Sequence, residues 1–533
     1  MPRLISVIDS ETDPFKKFRV PKPFIWGYYN GADFNLFKRT NELAAFLSTR
    51  DEICYAHNGG KFDFHFLLQH LTAFDDVMIV NGRLAQMHIG KCELRDSYMI
   101  LPVPLAAYKK DEIDYAIMER GQRGKPKNRE KIRSYLRGDC VYLYELINSF
   151  VNQFGLHLTQ AGASMKQWEK ICNVVAPRTD AEFYAFFSPY YYGGRVQCFE
   201  HGIIEENFHV YDINSAYPDA MLQMHPSSAE YQFAKGYIQD ADFVKVRCVS
   251  RGAFPFRGLG EGNSDAGLHF PEDNETREYT VTGWEYRAAK DTETIEDDEV
   301  IESIKFFEHA DFKPYILHFY AMRLRAKREN NVAESLFAKL LMNSLYGKFA
   351  ANPDNYSNYI LIPPERGASL PGTGWNFGGE LGPWILGQAP LADWQKRFYN
   401  VATGASITGY VRAKVWRAIC ASKRVLYCDT DAIAARQRGH NVNLGDGLGA
   451  WSDEGEFDKA GIAGKKLYIF RGVPNADGKR KYKTASKGVR LTNAQLWAVA
   501  AGAEVKYIPE VPTFSVKKAP VFTTRRVIKT AKG

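Results

Sequence analysis

The sequence of 533 residues predicts a multidomain protein that combines α/β and α+β regions. Its length exceeds what a single hydrophobic core normally serves, so several domains are expected. Apolar runs alternate with helical patterns up to about residue 155, which is the element order of an α/β domain. A hydrophobic content of 45%, with 14% aromatic residues, is enough for several packed cores and excludes a disordered or fibrous chain.

The later part of the chain is organised around a helical segment. Apolar residues recur every three or four positions from 311 to 350, with one break at Asn330 and Asn331. This pattern predicts two antiparallel helices joined by a turn. The segments 256–267 and 363–384 are rich in glycine and proline and are predicted to be loops or insertions.

Charge and cysteine content narrow the class of protein. The net charge of +7 permits nucleic acid as a partner without proving it. Eight isolated cysteines predict a reducing environment and no zinc site. No apolar run has membrane length and the N-terminus lacks a signal-peptide pattern, so a soluble intracellular protein with no membrane partner is expected. Basic residues also crowd positions 120–133 and the C-terminal run, where solvated faces or tails are the usual explanation: Lys517, Lys518, Arg525, Arg526, Lys529 and Lys532.

Four acidic residues of the N-terminal region predict a metal site. Asp9 and Glu11 follow an apolar run, and the period of a strand would direct both to one side, where a cation should separate them. A pair of Mg²⁺ ions needs roughly three or four carboxylate oxygen donors, and Asp63 and Asp139 are the candidates for the remaining ones. Tyr135 precedes Asp139 by four residues, so a helix would place its hydroxyl beside that carboxylate. Each acid alone is more simply a surface or turn residue, but four in apolar surroundings are costly to bury without cations.

A second acidic set lies in "VYDINSAYP" and "VLYCDTD". Each apolar run ends at an aspartate, so Asp212, Asp429 and Asp431 would meet if the two strands are neighbours. The segment "CDTDA" suits a tight hairpin that concentrates negative charge. The D-T-D pattern alone is a weak signal, because it also occurs in ordinary turns.

The helical segment between these two acidic motifs supports a functional interpretation of the acids. In "KLLMNSLYG", Lys339, Asn343, Tyr346 and Gly347 fall on one face of a helix. A cation, an amide and an aromatic ring on one stripe suit a triphosphate and a base, and Lys327 on the preceding helix could reach the same phosphates. Without the flanking acids, an amphipathic helix with a solvated lysine would be the simpler interpretation.

Together these motifs resemble the family B DNA polymerases. D-x-E in "IDSETD", the N…F-D pattern in "HNGGKFD" and Y-x₃-D in "YLRGD" resemble the motifs of the family's 3′–5′ exonuclease domain. "DINSAYP", "KLLMNSLYG" and "YCDTD" are similar to its three polymerase motifs, in matching order. The resemblance implies an RNase H-like 3′–5′ exonuclease domain followed by a right-hand polymerase with palm, fingers and thumb.

The resemblance also implies residue roles in the exonuclease domain. Asp9, Glu11, Asp63 and Asp139 would hold two Mg²⁺ ions, or Mn²⁺, and Tyr135 would orient the attacking water. Asn58 and Phe62 would contact the single-stranded end of the DNA.

In the polymerase domain, the resemblance implies that Asp212 and Asp431 carry two further ions, supported by Asp429. Tyr217 would exclude a ribose 2′-hydroxyl. The remaining implied ligands of dNTPs are Lys327, Lys339, Asn343 and Tyr346, and those of DNA include Ser215 and Gly347.

Other segments resemble the protein-primed branch of the family, especially the polymerases of tectivirus-type phages. "YYGGR" is similar to its linker, so Tyr191, Gly193 and Gly194 would touch template. Lys466 and Tyr468 in "KKLYIF" would hold the primer end. Lys110 matches an exonuclease lysine of this branch, and Ser97 matches a ligand of single strands. The implied partners are template and primer DNA and a terminal protein whose hydroxyl primes synthesis. The resemblance also implies a monomer that replicates a linear viral genome with strand displacement. The expected location is the host cytoplasm.

The resemblance predicts seven parts of the chain: 1–185 exonuclease, 186–229 first palm part with the linker, 230–308 an insertion like the terminal-protein-docking region, 309–350 fingers, 351–400 an insertion like the processivity and strand-displacement region, 401–455 second palm part, and 456–533 palm end and thumb. Three alternatives stay open: a nucleic-acid-primed or primer-independent enzyme of the same family, a nuclease whose second half only clamps DNA, and a DNA-binding protein without catalysis.

Overall fold

The structure is a computed structural model that describes residues 3–258, 267–364, 370–516, 518–521 and 523–528. Lys517, Lys529 and Lys532 of the basic C-terminal run lie outside the described residues, as do parts of the two segments predicted to be loops, 259–266 and 365–369. Within the described part of the chain, no helix is both long and apolar enough to cross a membrane.

The first third of the chain builds one sheet and the helices that cover it. Its strands are β1 (Leu4–Thr12), β2 (Pro23–Tyr29), β3 (Phe34–Phe37), β4 (Glu52–Ala56), β5 (Asp76–Val80), β6 (Arg83–Ile89) and β7 (Cys92–Asp96). Its helices are α1 (Thr40–Ser48), α2 (Asp63–Leu67), α3 (Pro126–Phe154) and α4 (Gln160–Cys172).

The middle third contains a short helical linker, the start of a second sheet, a third sheet and a pair of long helices. Its strands are β8 (Arg178–Thr179), β9 (Arg195–Cys198), β10 (Gly202–Ile204), β11 (Phe208–Ile213), β12 (His225–Pro226), β13 (Tyr231–Lys235), β14 (Phe243–Ser250), β15 (Thr276–Thr282), β16 (Ile295–Phe306) and β17 (His309–Ala310). Its helices are α5 (Ala181–Phe187), α6 (Ala216–Ala220), α7 (Gly283–Asp291), α8 (Lys313–Arg328) and α9 (Val332–Phe349).

The last third completes two of the sheets and ends in small hairpins. Its strands are β18 (Ser357–Ile362), β19 (Asn376–Leu381), β20 (Trp384–Pro390), β21 (Phe398–Tyr399), β22 (Lys423–Thr430), β23 (Ala432–Gln437), β24 (Trp451–Gly464), β25 (Leu467–Pro474), β26 (Arg480–Ser486), β27 (Val505–Tyr507), β28 (Thr513–Ser515), β29 (Lys518–Val521) and β30 (Arg525–Val527). Its helices are α10 (Val401–Ala421) and α11 (Asn493–Ala500).

The N-terminal sheet has ten strands in the order β19-β20-β18-β5-β6-β7-β4-β1-β2-β3. β4 runs parallel to both β1 and β7, as predicted for an α/β region. Helix α3 packs closely on β2 at Gly27. There is no room for a side chain at this position, since a Cβ would lie 2.9 Å from Cys140 Sγ. This packing carries residues of α3 to the face of β1.

Three strands of this sheet come from a distant part of the chain. β18 pairs with β5 through Tyr359 opposite Val77, so part of segment 351–400 extends the N-terminal sheet. Of the two alternatives predicted for 363–384, loops or an insertion, the loop alternative does not hold for β19 and the start of β20. The glycines fit a strand because the register of β19 shifts between Phe377 and Gly379, where Gly379 has φ +117°.

The central sheet has eight strands, with the order β26-β25-β24-β11-β23-β22-β9 and β10 paired to β24. Helix α10 is buried along nearly its whole length, as expected for a helix enclosed by other elements. The third sheet, β13-β16-β14-β15, lies within segment 230–308. Helices α8 and α9 confirm the predicted helical pair, and the side chain of Asn331 caps α9 by accepting a hydrogen bond from the Glu334 amide.

Candidate active sites

The acidic residues of the N-terminal region meet between β1 and α3. Asp9 and Glu11 alternate along β1, and Asp139 lies on α3. One carboxylate oxygen from each of the three lies within 4.8 Å of the others. Asp63 starts α2 beside them, and its Oδ1 accepts a hydrogen bond of 2.5 Å from Ser10 Oγ. The four acids predicted from the sequence are therefore neighbours.

Burial, and then repulsion between neighbouring carboxylates, raises the pKa of acids in this cluster. Burial, followed by the charge of Asp139, raises the pKa of Glu11 to about 8. Burial raises the pKa of Asp63 to about 7. For Asp9, burial and then the charges of Asp63, Glu11 and Asp139 raise the pKa well above its usual range. Asp139 Oδ1 is buried without a hydrogen-bond partner. Such a set of hard oxygen donors, with an unsatisfied atom among them, fits divalent cations.

Tyr135 and Lys110 flank Asp139. Tyr135 lies one turn before Asp139 on α3, and its hydroxyl is 3.1 Å from that of Tyr115. Lys110 Nζ is 4.0 Å from Asp139 Oδ2. Burial raises the pKa of Asp139, while the charge of Lys110 and the hydroxyl of Tyr135 oppose that rise. Both side chains are placed to act on a group bound by the acids.

The residues predicted to bind single strands have different surroundings. Asn58 Oδ1 accepts a hydrogen bond of 2.7 Å from Arg83. The ring of Phe62 is partly buried and packs against that of Phe514 from the C-terminal segment, with 5.4 Å between centroids. Ser97 has no exposed surface, and its Oγ lies 3.0 Å from the nitrogen Nδ1 of a histidine. Its placement does not support a direct contact with DNA.

The second acidic set converges at one end of the central sheet. β23 pairs with both β11 and β22, so Asp212 and Asp429 each lie opposite Ala432. Asp431 occupies the turn between β22 and β23, where its carbonyl accepts a hydrogen bond of 2.9 Å from the Ile213 amide. The sequence "CDTDA" therefore forms the predicted hairpin.

Electrostatics again raise the pKa of two of these acids. Burial, then the charge of Asp212, raises the pKa of Asp431 to about 7. Burial, then the charge of Glu454, raises the pKa of Asp212 to about 6. Asp429 instead forms an ion pair with Lys466, one of the two residues predicted to hold the primer end. The other, Tyr468, packs its ring 4.8 Å from that of Tyr427.

Asp212 and Asp431 open into a cavity of about 340 Å³ between the central sheet and the helical pair. The cavity is lined by most residues predicted to bind a nucleotide, together with others that the sequence did not predict, among them Tyr320, Arg323 and Asp446. The helical spacing of Tyr320 and Arg323 relative to Lys327 was a signal that could have found them. The predicted residues in the lining are Ser215, Tyr217, Lys327, Lys339 and Asn343.

Tyr217, which lines this cavity, packs against an aromatic residue of α9. The rings of Tyr217 and Tyr346 stack with centroids 4.1 Å apart and planes 13° apart. Gly347, the next residue on α9, is exposed, and a Cβ there would meet nothing within 4 Å. This end of α9 can therefore be approached closely by a ligand.

The linker that contains Tyr191, Gly193 and Gly194 touches the acidic turn. A Cβ on Gly194 would lie 2.6 Å from Thr430 Cγ2, so only glycine fits against "YCDTD". Arg412 on α10 donates hydrogen bonds to the carbonyls of the linker, 2.9 Å to that of Gly193. Arg412 is itself held by a bidentate pair to Glu285, at 2.7 and 3.0 Å. The buried pair thus sets the path of the linker.

Comparison with known proteins agrees with this arrangement. The family described as DNA polymerase type B, organellar and viral, matches residues 103–366. The DNA-directed DNA polymerase of Enterobacteria phage PRD1 is 39% identical over 500 residues, which cover 91% of this chain and 86% of that protein. The DNA polymerase of Bacillus phage phi29 is 25% identical over 535 residues, or 88% of this chain and 87% of that protein.

The fold has solved counterparts. Phi29 DNA polymerase complexed with primer-template DNA has a TM-score of 0.75 and 20% identity, covering 99% of this chain and all of that one. The predicted fold class, an exonuclease-like domain followed by a right-hand polymerase, is thereby confirmed. The chain belongs to the family B DNA polymerases, in the protein-primed branch that its motifs resemble. It is a DNA-directed DNA polymerase similar to those of phages PRD1 and phi29.

Proposed function

We propose that this polymerase also degrades DNA from 3′ ends, as a proofreading exonuclease, at the N-terminal acidic cluster. The observation that carries the proposal is the meeting of Asp9, Glu11 and Asp139 oxygens within 4.8 Å, beside an unpartnered buried oxygen. Tyr135 orients the attacking water and Lys110 balances charge near Asp139. The exposed part of Phe62 stacks on a base of the frayed end.

Both sites would hold divalent metal, two Mg²⁺ ions each, with Mn²⁺ as a substitute. Bound ions would supply charge stabilisation and acidify the attacking hydroxyl. The ligands in the N-terminal cluster are the four acids, and those in the cavity are Asp212 and Asp431. Lys327 and Lys339 neutralise the triphosphate, while the ring of Tyr217 sits against the sugar and excludes a 2′-hydroxyl.

DNA is proposed as the partner from the chemistry of the site residues and from the solved complexes of similar polymerases. Solved phi29 polymerase structures hold primer-template DNA and incoming nucleotides. By analogy, Tyr191, Gly193, Gly194, Ser215 and Gly347 contact DNA in this chain. Lys466 and Tyr468 hold the primer end, and Asn58 contacts the frayed strand.

We further propose a terminal protein as primer. The sheet of segment 230–308 would offer its docking surface, and segment 351–400 would support processivity and strand displacement. The seven parts of the chain predicted from the sequence are its proposed domains. Replication would take place in the host cytoplasm, as for other phage polymerases.

Paired variants test the two sites. Asp431→Asn should abolish primer extension with dNTPs and Mg²⁺ but keep 3′ degradation, whereas Asp9→Asn/Glu11→Gln should do the reverse. Extension by the wild type on an ordinary DNA primer, together with no product on genome ends supplied with terminal protein, would refute protein priming. Degradation that persists in the Asp9/Glu11 variant would refute the exonuclease assignment.

A further inference from the structure

The basic run at positions 119–133 starts and ends beside the N-terminal acidic cluster. Tyr115 precedes the run and Tyr135 follows it, and the hydroxyl oxygens of these two residues are 3.1 Å apart. Tyr135 lies one helical turn before Asp139, an acid of the cluster. The run is therefore an excursion of the chain that leaves the cluster and returns to it.

Two lysines of this run lie on the helix ridge that leads to the cluster. Lys127, Lys131, Tyr135 and Asp139 follow one another at intervals of four residues along α3, a spacing that makes them neighbours on the helix surface. The lysines are exposed, whereas Tyr135 and Asp139 are buried. The rise along α3 from Asp139 is about 12 Å to Lys131 and about 18 Å to Lys127. The ridge thus runs from the acids outward to solvent.

A second basic segment, the loop 13–22, directly follows β1 and joins the run. Arg123 donates a hydrogen bond of 2.7 Å to Asp13 at the start of the loop. Glu119, at the start of the run, forms ion pairs with two cations of the loop. The loop and the run 119–133 therefore form one surface, called the basic surface below.

The basic surface also reaches an aromatic residue predicted to bind single strands. Phe15 in the loop is 49% exposed, and its ring packs edge-on against that of Phe62, with 5.7 Å between centroids and 84° between planes. An exposed ring at this place can stack on a base. The surface is thus continuous with the cleft beside the acids.

Most cations of the basic surface have no acidic partner. Its two segments hold eleven lysines and arginines and three acids, so they account for the whole net charge of +7. The acids Asp13 and Glu119 are already used in the contacts between the two segments. Within the described residues, no ion pair involves the other cations of the surface, which are Lys17, Lys22, Arg120, Lys125, Lys127, Arg129, Lys131 and Arg133.

The start of α3 is an unfavourable place for these cations. The helix begins at Pro126, has no acid in its first turn and receives no side-chain cap from Lys125. The positive end of the helix dipole repels cations and attracts anions. A run of charge is usually a solvated face, but that explanation does not account for cations placed against the dipole.

The third sheet shows the opposite arrangement. There Arg247 pairs with Glu278 at 2.7 Å and with Glu299 at 3.0 Å, so an exposed cation is neutralised by local acids. The basic surface has few acids of its own for this purpose. It is therefore suited to an external polyanion.

We propose that the basic surface binds backbone phosphates of the single strand whose 3′ end occupies the acidic cluster, on the 5′ side of the nucleotides that lie among the acids. This inference rests on the proposed exonuclease function. The terminal nucleotide lies at the acids, and the preceding phosphates follow the ridge past Lys131 and Lys127. Longer single strands are consequently held more tightly than short ones.

Binding of single strands of two lengths tests the proposal. Wild type and Lys127→Gln/Lys131→Gln are titrated by fluorescence anisotropy, without divalent metal, against oligonucleotides of about 4 and about 15 nucleotides. The variant should bind the longer strand about tenfold more weakly and the shorter one within about twofold of the wild type. The slope of log affinity against log salt should fall by about 1.4 for the longer strand only, since each phosphate contact on a single strand contributes about 0.7. Unchanged binding, or an equal loss for both lengths, would overturn the proposal.

Tailed duplexes identify the strand that the surface binds. The variant should lose affinity for a duplex with a single-stranded 3′ tail and keep its affinity for a duplex with a 5′ tail of the same length. A loss on the 5′ tail instead would assign the surface to another strand and contradict the proposal.

Matched variants separate the effect from a change in total charge or in fold. Lys91→Gln/Lys170→Gln removes two other exposed lysines of the first third of the chain and should leave both affinities unchanged. Lys127→Arg/Lys131→Arg keeps the charge and should restore binding of the longer strand. Because the glutamines relieve repulsion at the start of α3, the Tm of the glutamine variant should not fall below that of the wild type. Failure of the proposed exonuclease function would appear separately, as absence of 3′ degradation by the wild type with Mg²⁺.

Discussion

The two acidic sites differ in how their negative charge is balanced. In the N-terminal cluster, four acids crowd together, and Lys110 Nζ lies 4.0 Å from a carboxylate oxygen of Asp139. In the central site, Lys466 pairs with Asp429, and the cavity beyond Asp212 and Asp431 is lined by three further cations, Arg323, Lys327 and Lys339, and by one further acid, Asp446. The burial of the acids also differs, since Glu11, Asp63 and Asp139 are buried whereas the three central aspartates are partly exposed.

This difference indicates that the N-terminal site depends more strongly on external cations. Burial raises the pKa of Glu11 to about 8 and that of Asp63 to about 7, against about 7 for Asp431 and about 6 for Asp212. Carboxyls with raised pKa values bind metal in competition with protons, so metal binding to this cluster should release protons at neutral pH. The central site carries cations that serve a charged substrate as well as the acids.

Removal of one lysine from each site should have the largest effect. Lys110→Met leaves the buried acids without their only nearby described cation, so 3′ degradation should fall by about 100-fold with extension unchanged. Lys466→Met should lower extension by only about tenfold, because the central acids are better solvated. Single-turnover rates of both reactions in both variants measure this contrast, and equal losses would contradict it.

The pH dependence should separate the two activities next. Metal ligation requires deprotonated carboxylates, so each activity should rise with pH through the raised pKa of its acids. At low, fixed Mg²⁺, the midpoint should lie near pH 8 for degradation, from Glu11, and near pH 7 for extension, from Asp431. At pH 7, degradation should be about tenfold below its plateau. If the pH profiles of degradation and extension coincide, the difference in burial between the two sites does not affect their pH dependence.

Removal of the Ser10 hydroxyl should have a smaller effect on the rate of 3′ degradation. Ser10 donates to Asp63 and holds down the pKa of that carboxyl, which burial raises. Ser10→Ala should raise this pKa further and slow degradation roughly three- to fivefold at pH 7, with less effect at pH 9. Extension by the same variant serves as the internal control. A loss that is independent of pH would point to misfolding of β1.

The smallest expected effect is on thermal stability. Carboxyls whose pKa is raised in the folded state bind more protons there than in the unfolded chain, so metal-free protein should lose stability as pH rises from about 4 to 8. Mg²⁺ opposes this loss, and its addition should raise Tm by roughly 2–4 °C more at pH 8.5 than at pH 6. Calorimetry should find most of this gain absent from Asp9→Asn/Glu11→Gln.

Features with a local pattern were predictable from the sequence. The alternation of Asp9 and Glu11, the hairpin at "CDTDA" and the break at Asn330 and Asn331 each depend on residues close in the chain. The structure contains all three. The motif resemblance extended these local patterns to the right-hand fold, because ordered motifs across a chain identify a family.

Features that depend on distant pairing were not predictable. Nothing near Tyr359 indicates that it lies opposite Val77, since register across such a separation is decided by the whole sheet. The burial of Ser97 and the pair between Arg412 and Glu285 likewise arise from tertiary packing. A sequence pattern reports which residue types are present, whereas these contacts depend on which surfaces finally meet.

The shared ten-stranded sheet has a consequence for synthesis of the chain. β5 reaches the ribosome exit about 280 residues before β18, its neighbour in the finished sheet. At a synthesis rate of 5–20 residues per second, the backbone groups on this edge of β5 stay unpaired with β18 for roughly 15 to 60 seconds. Asp75 and Asp76 at the start of β5 place negative charge on this waiting edge, which discourages pairing between nascent chains. Completion of the N-terminal domain is therefore an event late in translation, after the helical pair has emerged.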